Sequence, residues 1–377
     1  MYAASAAPGL PRSTDVFVIG GGPAGLAAAI AARNCGFDVT VADGATPPID
    51  KACGEGIMPD GLGAARALGM ELEDGHGAAF RGIRLCEGAA SVESAFANGH
   101  GIGLRRTALH GLLVERAAAA GVRLAWGVPV SGIDEAGVSA GGRLVRARWI
   151  VGADGGQSRV RRWTGLEAGA RASRRYGFRR HYRMTPWTDF VELHWSDGCQ
   201  LYITPLAAGE ICVVLMSRHP HLRLEEALPR FPAVARRIGS ACPVGIERGG
   251  VSASLRLRSV CRGNVALVGD AAGSVDAITG EGLCLLFQQA GALARALEAS
   301  DLDLYRREHR RIGRRPEFVA DLMLLLAERG RLRRRALRAM ASRPHLFASM
   351  LAMHVGGLPP LDYLTSGLAL GCRMLTV

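Results

Sequence analysis

Three glycines with a fixed spacing follow a short apolar segment near the start of the sequence. Gly20, Gly22 and Gly25 form the pattern G-x-G-x-x-G directly after residues 15–19, and an alanine-rich run extends to Asn34. This order predicts a buried parallel strand, a tight turn and a helix. Gly20 permits the turn, Gly22 lets the backbone approach a pyrophosphate, and Gly25 allows the helix to pack closely on the strand. The predicted chemistry is dinucleotide binding.

An acidic residue stands where a ribose-binding carboxylate is expected. A second strand is predicted over residues 38–42 and is followed by Asp43, 23 residues after Gly20. A carboxylate in this position can accept hydrogen bonds from the ribose hydroxyls of a dinucleotide. Asp43 also precedes Gly44, and this dipeptide is typical of a turn at the end of a strand. Both interpretations of Asp43 stay open.

A second strand and glycine turn are predicted around Asp154. An apolar segment starting at Trp149 leads into Gly152-Ala-Asp-Gly155, and Ser158 and Arg161 follow. The aspartate would lie at the carboxyl end of a strand, where open α/β sheets bind their ligands. A turn residue is the simpler explanation when this motif is taken alone.

A third motif combines a strand, an aspartate and the start of a helix. The apolar residues 265–268 precede Gly269-Asp270, and a long helix is predicted to begin near Gly282. Asp270 can accept a hydrogen bond from a hydroxyl group. Gly280 and Gly282 would present bare backbone N–H groups and the positive end of a helix to an anionic ligand.

The composition is that of a globular protein with room for one large domain or two packed domains. The chain has 377 residues, of which 49% are hydrophobic and 21% charged, outside the range of disordered chains. The net charge of +12 comes from arginine, since Lys51 is the only lysine. Such a charge can attract phosphates or anionic membranes. The arginines form no aromatic-interleaved platform, so no nucleic-acid partner is predicted.

The nine cysteines show neither a C-x-x-C pattern nor a metal-ligand spacing with histidine. Their odd number predicts reduced thiols in a cytoplasmic protein without a bound metal. Residues 1–14 lack the features of a signal peptide and are predicted to be a flexible leader. No apolar run is long enough for a membrane-spanning helix.

Alternating apolar residues predict a mainly antiparallel sheet in the middle of the chain. The predicted sheet comprises strands over 190–195, 200–204, 210–216 and 251–257, is interrupted by a helix over 223–231, and receives a first excursion of the chain as a hairpin over 81–86 and 91–96. Separate strands are predicted over 122–126, 128–133 and 144–147. A further helix is predicted with Thr107 as its N-cap. From Leu302 onward the sequence is helical and rich in arginine. This part is either a packed helical cap or a membrane-surface helix.

The three motifs, in this order across residues 15–290, resemble FAD-dependent oxidoreductases of the para-hydroxybenzoate hydroxylase type. Within that superfamily the chain is most similar to the geranylgeranyl reductase branch and to relatives associated with polyketide biosynthesis. The segment from Gly269 to Gly282 carries most of the resemblance, and Cys53-Gly-Glu-Gly56 points to the reductase-like branch. The implied fold is α/β (α+β overall): a Rossmann-like FAD-binding domain, a mainly antiparallel substrate-binding sheet and a helical C-terminal region.

The resemblance implies a domain order along the chain. The FAD-binding domain would comprise residues 15–170, with a small excursion near 80–100, and residues 260–300. The substrate-binding sheet would comprise residues 171–259, and residues 301–377 would form the helical cap.

The resemblance also assigns roles to matching residues. The implied cofactor-binding residues are Gly20, Gly22, Pro23, Ala24, Gly25, Asp43, Cys53, Gly54, Gly56, Arg106, Val128, Asp154, Asp270, Gly280, Gly282 and Leu283. Asp43 would bind the adenosine ribose, and Val128 would hold the adenine through its backbone. Asp154 belongs to a motif credited with FAD and nicotinamide contacts. Asp270 would bind the ribityl chain, while Gly282 and the next residue would face the pyrimidine edge of the flavin.

Residues for the reaction itself are harder to assign from the sequence. Cys53 lies in the loop that the resemblance places beside the flavin. There its thiol would tune the flavin or act as a proton donor, although a buried inert thiol is an equally good interpretation. Tyr202 and Trp195 are the candidate substrate contacts. Further candidates on the same predicted sheet are His181, Tyr182 and His194, and packing explains each of these five residues as well.

Two departures from the family pattern bear on the substrate. Ala277 stands where hydroxylases commonly have a proline. Residues 201–205 read Leu-Tyr-Ile-Thr-Pro instead of the tyrosine-tryptophan-phenylalanine-proline signature of prenyl reductases, which argues against an isoprenoid chain as the substrate.

The expected function is that of an FAD-dependent oxidoreductase that takes electrons from NAD(P)H. Hydroxylation of a hydrophobic aromatic or polyketide-like molecule by a monooxygenase is placed slightly ahead of reduction of a carbon–carbon double bond or quinone. A non-catalytic flavoprotein is a further alternative. The expected partner is a hydrophobic small molecule, and the expected location is the cytoplasm, with peripheral membrane contact left open.

Overall fold

The computed structural model of the protein describes residues 9–73, 75–167 and 169–356. Strands and helices alternate in the first half, and helices dominate after residue 280. The strands are β1 (Ser13–Ile19), β2 (Val39–Asp43), β3 (Gly56–Ile57), β4 (Ala78–Phe80), β5 (Gly82–Glu87), β6 (Ala90–Ala95), β7 (Gly101–Gly103), β8 (Arg123–Trp126), β9 (Val130–Asp134), β10 (Gly137–Ala140), β11 (Arg143–Gly152), β12 (Gly169–Arg183), β13 (Phe190–Ser196), β14 (Cys199–Leu206), β15 (Glu210–Ser217), β16 (Cys242–Leu257), β17 (Cys261–Arg262) and β18 (Val265–Leu267).

The helices lie between these strands and after them. They are α1 (Pro23–Asn34), α2 (Pro59–Arg66), α3 (Arg106–Ala119), α4 (Arg159–Trp163), α5 (Leu224–Ala227), α6 (Pro232–Ile238), α7 (Gly282–Glu298), α8 (Leu302–Glu328), α9 (Gly330–Ser342) and α10 (Pro344–His354). Among the described residues, no helix combines the length and the apolar character needed to cross a membrane.

The first sheet has β1 at its centre and runs in the order β17-β18-β11-β1-β2-β8, with β9 and β10 attached through β11. Strand β1 pairs in parallel with β2 on one side and with β11 on the other. The apolar residues 16–18 are completely buried, as a strand covered on both faces requires. This arrangement confirms the predicted parallel sheet and brings the carboxyl ends of β1, β11 and β18 to one edge.

The second sheet has seven strands in the order β16-β12-β15-β14-β13-β5-β6. Its pairs are antiparallel except for β13 with β5. The predicted hairpin at 81–96 is confirmed as β5 and β6, and it joins this second sheet. Strands β3, β7 and β4 form a small third sheet between the two.

The two faces of the second sheet have different neighbours. Leu201, Ile203 and Val213 belong to an apolar cluster with α5 and α6. On the other face, Leu193 and Trp195 pack in a cluster with residues of α8, α9 and α10. The described C-terminal helices therefore cover part of the face that also carries Tyr202.

Several predicted element boundaries were wrong. Strand β1 begins at Ser13, two residues earlier than expected, whereas residues 1–8 of the predicted leader lie outside the described residues. The segments 144–147 and 149–152 form the single strand β11. The predicted helix 223–231 is broken, because α5 ends at Ala227, a short 3-10 turn covers residues 228–230, and α6 begins only at Pro232. Pro229 and Pro232 lack the N–H that a continuous helix needs. Helix α3 is preceded by Arg105, not by Thr107.

Candidate functional site

The glycine turn after β1 contains two positions that the fold itself requires to be glycine. Gly20 has a φ of +110°, and a Cβ atom there would lie 2.5 Å from the carbonyl oxygen of Ala153. A Cβ atom on Gly25 would lie 1.9 Å from the carbonyl oxygen of Gly20. Gly22 differs, because a Cβ atom there would meet no atom of residues 9–73, 75–167 or 169–356 within 4 Å. The open space at Gly22 fits the close approach of a ligand to the start of α1.

Asp43 lies directly beside this turn. Its Oδ2 accepts a hydrogen bond of 2.7 Å from the backbone N–H of Gly21, and its Oδ1 accepts one of 2.8 Å from the N–H of Ala45. The backbone N–H of Val128 donates to the carbonyl of Asp43 at 2.9 Å. Asp43 is thus both a turn residue and a neighbour of the glycine turn. Because the N–H of Val128 is already used in this bond, any backbone contact of Val128 with an adenine would be made by its carbonyl.

The second motif is connected to the third by Arg161. The side chain of Asp154 accepts hydrogen bonds from the N–H groups of Arg159 and Val160 at 2.6 and 3.1 Å and so caps α4. Arg161 is 4% exposed, and its Nη1 donates to the carbonyls of Asp270 and Ala271 at 3.1 and 3.2 Å. Arg161 was part of the motif found in the sequence, but no role was predicted for it. In the structure, its hydrogen bonds connect the turn after β11 with the turn after β18.

Asp270 faces the loop that carries Cys53. Its Oδ2 lies 2.8 Å from Nζ of Lys51, and each of these side chains is 48% exposed. The neighbouring Gly269 has a φ of +59°, and a Cβ atom there would lie 2.6 Å from that of Ala24. Asp270 therefore lies close to the start of α1, so the first and third motifs meet at one edge of the sheet.

The start of α7 presents a second open backbone surface. A Cβ atom on Gly280 or Gly282 would meet no atom of the described residues within 4 Å. The side chain of Glu281, the N-cap residue, makes no capping hydrogen bond to the first turn of α7, so the positive end of this helix can receive an anion. The hydroxyl of Tyr202 donates to the carbonyl of Ile278 at 3.0 Å, which attaches this loop to the second sheet.

The Cys53 loop lies between the two large sheets. The hydroxyl of Thr204 donates to the carbonyl of Gly54 at 2.8 Å, and the thiol of Cys212 lies 3.7 Å from the carbonyl of Cys53. A Cβ atom on Gly54 would meet no protein atom within 4 Å, which leaves that backbone open on its other side. Burial raises the pKa of the Cys53 thiol, so a neutral thiol is expected rather than a reactive thiolate.

Glu55 attaches this loop to β12 and was missed in the sequence analysis. Its carboxylate oxygens lie 2.8 Å from Nη1 of Arg179 and 2.6 Å from Nε2 of His181. Oε1 also accepts a hydrogen bond of 3.0 Å from the backbone N–H of Arg106. Glu55 is 1% exposed and has a φ of +61°, a conformation that surrounding contacts must hold in place. The one available signal was an acidic residue between two loop glycines.

Glu55, His181 and Cys212 also offer three donor atoms within 4.8 Å of one another. The hydrogen bond between Glu55 and His181 and the ion pair of Glu55 with Arg179 account for this closeness. Burial raises the pKa of Cys212 well above its usual value, which keeps the thiol protonated. The group therefore works as a hydrogen-bonded clamp.

The structure separates the five candidate substrate contacts. Tyr202 contacts the loop before α7. Trp195 is 7% exposed and packs against the C-terminal helices, so it is a core residue in this structure. His181 is bonded to Glu55. Tyr182 packs in the cluster beneath α5 and α6, and His194 bonds Glu192 at 2.8 Å.

A parallel sheet whose turns meet at one edge, beside glycine backbone left open at the start of a helix, is the arrangement of a dinucleotide-binding protein. A family model described as FAD binding domain matches residues 13–195. The menaquinone reductase of Mycobacterium tuberculosis is 30% identical over 329 residues, which cover 77% of this chain and 78% of that protein. The chain belongs to the FAD-dependent oxidoreductases of the para-hydroxybenzoate hydroxylase-like superfamily, and FAD is its cofactor.

Two further proteins, a monooxygenase and a reductase-like protein, are similar to this chain. The rifampicin monooxygenase of Streptomyces venezuelae is 32% identical over 161 residues, or 40% of this chain and 34% of that protein. A solved structure of a geranylgeranyl bacteriochlorophyll reductase-like protein from Thermoplasma acidophilum superposes with a TM-score of 0.73. At 21% identity it covers 84% of this chain and 89% of its own, and it confirms the fold.

Proposed function

We propose that the protein is an NAD(P)H-linked, FAD-dependent reductase that delivers a hydride to a carbon–carbon double bond or a quinone of an apolar small molecule. This choice rests on how much of the chain each relative matches. The menaquinone reductase matches 77% of the chain, whereas the monooxygenase matches 40%. Sequence motifs alone placed hydroxylation slightly ahead. The longer similarity now favours the reductase, and hydroxylation becomes the second candidate.

We infer that FAD lies along the edge where the three motifs meet. The space at Gly22 would receive its pyrophosphate, Asp43 its ribose, and Asp270 its ribityl chain, after Lys51 moves from that carboxylate. Because both members of the Lys51–Asp270 pair are half-exposed, their separation costs little. The bound flavin would supply hydride transfer. The start of α7 at Gly282 would stabilise negative charge at the pyrimidine edge.

We infer the domain division from the same arrangement. The first sheet would be the FAD-binding domain, formed by residues 15–170 and 260–300, with its excursion near 80–100 inserted into the second sheet. Residues 171–259 would form the substrate-binding sheet. The helices from residue 301 would form a cap over that sheet, and the part of this cap after residue 356 lies outside the described residues.

The face of the second sheet toward the flavin loops supports an apolar substrate. Its two buried arginines are paired within the chain: Arg175 with Asp276 at 3.3 Å, and Arg179 with Asp50 and Glu55 at 2.8 Å. The residues beside them include Val214 and Met216, both buried. A surface whose charges are already neutralised favours apolar groups and excludes water.

The reductase proposal predicts turnover without oxygen. Purified enzyme reduced anaerobically with NADPH or NADH should be reoxidised by menadione, a simple naphthoquinone, in repeated turnovers, with the quinone reduced stoichiometrically. Product analysis by mass spectrometry and the flavin absorbance check this result. Free FAD at the same concentration is the control for non-enzymatic transfer. Oxygen uptake coupled to a hydroxylated product, with no turnover in its absence, would assign the monooxygenase function instead.

We also propose that the outer surface of α8 and α9 contacts anionic membranes. Phe318 and Leu325 of α8 are 59% and 41% exposed, and the arginines 331, 334, 335 and 338 line a groove on α9, the next helix in the chain. Apolar side chains beside arginines suit an interfacial helix. Flotation with vesicles containing phosphatidylglycerol should recover the protein at low salt, and Phe318→Ser should weaken recovery more than the control Val251→Ser. Absence of flotation with the wild-type protein at any salt concentration would retire the idea.

A further inference from the structure

Four ionisable side chains meet behind the start of α7. They are Asp60 of α2, Glu281 directly before α7, Arg315 of α8 and His354 of α10. Each has a buried polar atom without a hydrogen-bond partner among the described residues: Oδ1 of Asp60, Oε2 of Glu281, Nε of Arg315 and Nδ1 of His354. Buried polar atoms are nearly always satisfied in folded proteins. Four such atoms in one cluster therefore require an explanation.

Two carboxyl groups share one guanidinium in this cluster. Nη2 of Arg315 lies 3.1 Å from Oδ2 of Asp60 and 3.5 Å from Oε1 of Glu281. Asp60 also accepts a hydrogen bond of 3.2 Å from Gln288. Glu281 is the more deeply buried carboxyl, with 1% of its side chain exposed against 14% for Asp60. One cation cannot compensate two buried carboxylates, so the neutral form is favoured at Glu281.

Burial is the main cause that raises the pKa of Glu281, and the neighbouring Asp60 adds to it, while Arg315 opposes the shift. The resulting pKa is about 8. Glu281 is therefore expected to hold a proton at neutral pH.

His354 is placed to accept a hydrogen bond from that proton. Its Nε2 lies 3.1 Å from the carbonyl of Thr279, and since a carbonyl only accepts, Nε2 must carry the hydrogen. Burial lowers the pKa of His354 to about 4, so Nδ1 keeps its lone pair. Nδ1 lies 3.7 Å from Oε2 of Glu281. A hydroxyl on Oε2 directed at Nδ1, after a small rotation or through one water, satisfies both atoms.

We propose that Glu281 is a redox-linked proton site of this flavoprotein: its carboxyl, which faces Nδ1 of His354 at 3.7 Å, holds a proton in the reduced enzyme and releases it more readily in the oxidised enzyme. This inference rests on the proposed placement of the flavin against Gly282 and Leu283. Glu281 directly precedes Gly282, so a carboxylate there would oppose the negative charge that two-electron reduction brings to the pyrimidine edge. Such coupling is reciprocal: reduction favours the protonated carboxyl, and the protonated carboxyl favours reduction.

The proton balance is simple. When NAD(P)H or dithionite supplies two electrons at a pH where Glu281 is ionised, its carboxylate takes up one proton from solvent, and no other bond changes at this residue. The facing charged groups are Arg315 and Asp60, which pair with each other at 3.1 Å. Burial lowers the pKa of His354 to about 4, so this imidazole stays neutral over this range. The thiol of Cys284, also in α7, remains neutral because burial raises its pKa well above the usual value.

The test compares the full-length wild-type protein with Glu281→Gln, which mimics the protonated carboxyl, and with Glu298→Gln at the exposed far end of α7 as control. The midpoint potential of bound FAD is measured with redox dyes from pH 6 to 10. Wild type and Glu298→Gln should take up one additional proton per two electrons at pH values above about 8. Glu281→Gln should lack this additional uptake, and His354→Gln should move it to lower pH. The same pH dependence in Glu281→Gln and wild type would overturn the inference.

A second measurement on flavin-free protein separates this inference from the flavin placement. The folded pKa of Glu281 is above its unfolded value, so folded protein binds the proton more tightly and stability falls as pH rises. The melting temperature of wild type relative to Glu281→Gln should therefore decrease between about pH 4.5 and pH 8 and then level off. If this difference is absent, Glu281 holds no such proton and the inference fails. If the pH-dependent difference in melting temperature is present, but the midpoint potentials of wild type and Glu281→Gln show the same pH dependence, the flavin does not lie against Gly282. The proposed flavin placement then fails.

Discussion

Valine in place of Gly22 is expected to leave the protein folded while weakening FAD binding at least about 100-fold, equivalent to about 2.7 kcal/mol. The backbone at Gly22 is extended, with φ of −71° and ψ of 176°, and an added Cβ atom would meet no protein atom within 4 Å. The valine side chain would instead occupy the space inferred for the pyrophosphate at the start of α1. Equilibrium titration of flavin-free protein with FAD, followed by fluorescence, measures the loss, and circular dichroism checks the fold.

The matched control is Gly132→Val. A Cβ atom on Gly132 would likewise meet no atom of the described residues within 4 Å, and this glycine lies in β9, outside the three motif segments of the sequence. This variant should bind FAD as the wild type does. If Gly22→Val retained FAD with unchanged affinity, the assignment of the glycine turn to the pyrophosphate would be wrong.

Alanine in place of Glu55 is expected to lower the free energy of unfolding by about 3 kcal/mol, the range seen when one partner of a buried ion pair is removed. The substitution leaves His181 and one side of Arg179 without their partner. It also frees the backbone N–H of Arg106 from the Oε1 atom that accepts it. Glu55→Gln keeps an acceptor for two of these donors, so about 1 kcal/mol is expected. Urea unfolding of both variants measures the difference.

Glu93→Ala provides the comparison for a carboxylate at the surface. Glu93 pairs with Arg84, but its side chain is 45% exposed, so its removal should cost less than about 1 kcal/mol. Equal losses for Glu55→Ala and Glu93→Ala would contradict the clamp role of Glu55. We also expect Glu55→Ala to release FAD more easily, since the Cys53 loop would lose its attachment to β12.

The parts of the fold that the sequence predicted well depend on local patterns. Three elements were predicted from short segments: the G-x-G-x-x-G turn, the strand before Asp270 and the start of α7 near Gly282. In each segment the residue types themselves indicate the local backbone conformation. The structure has all three elements. The hairpin near 81–96 was also found for this reason, because its two strands are neighbours in the chain.

The residues that were missed depend on partners far away in the sequence. Glu55 bonds His181 across 126 positions, and Glu281 shares its cluster with Asp60 and His354 from separate helices. No local spacing reveals which charges will be buried together. Trp195 differs from these residues, because it was named as a candidate substrate contact and is a packed residue in the structure. Its strand was predicted from the sequence, but the sequence did not show which helices would cover that strand.

The attachment of Glu55 to β12 has a consequence for how this protein can be recombined with its relatives. The loop beside the proposed flavin position belongs in sequence to the first part of the chain, yet Arg179 and His181, which hold it, belong to the second sheet. An exchange of the sheet alone would separate the two sides of this contact. A transferable unit therefore has to include residues 50–57 together with β12, and engineered hybrids should move both segments as one cassette.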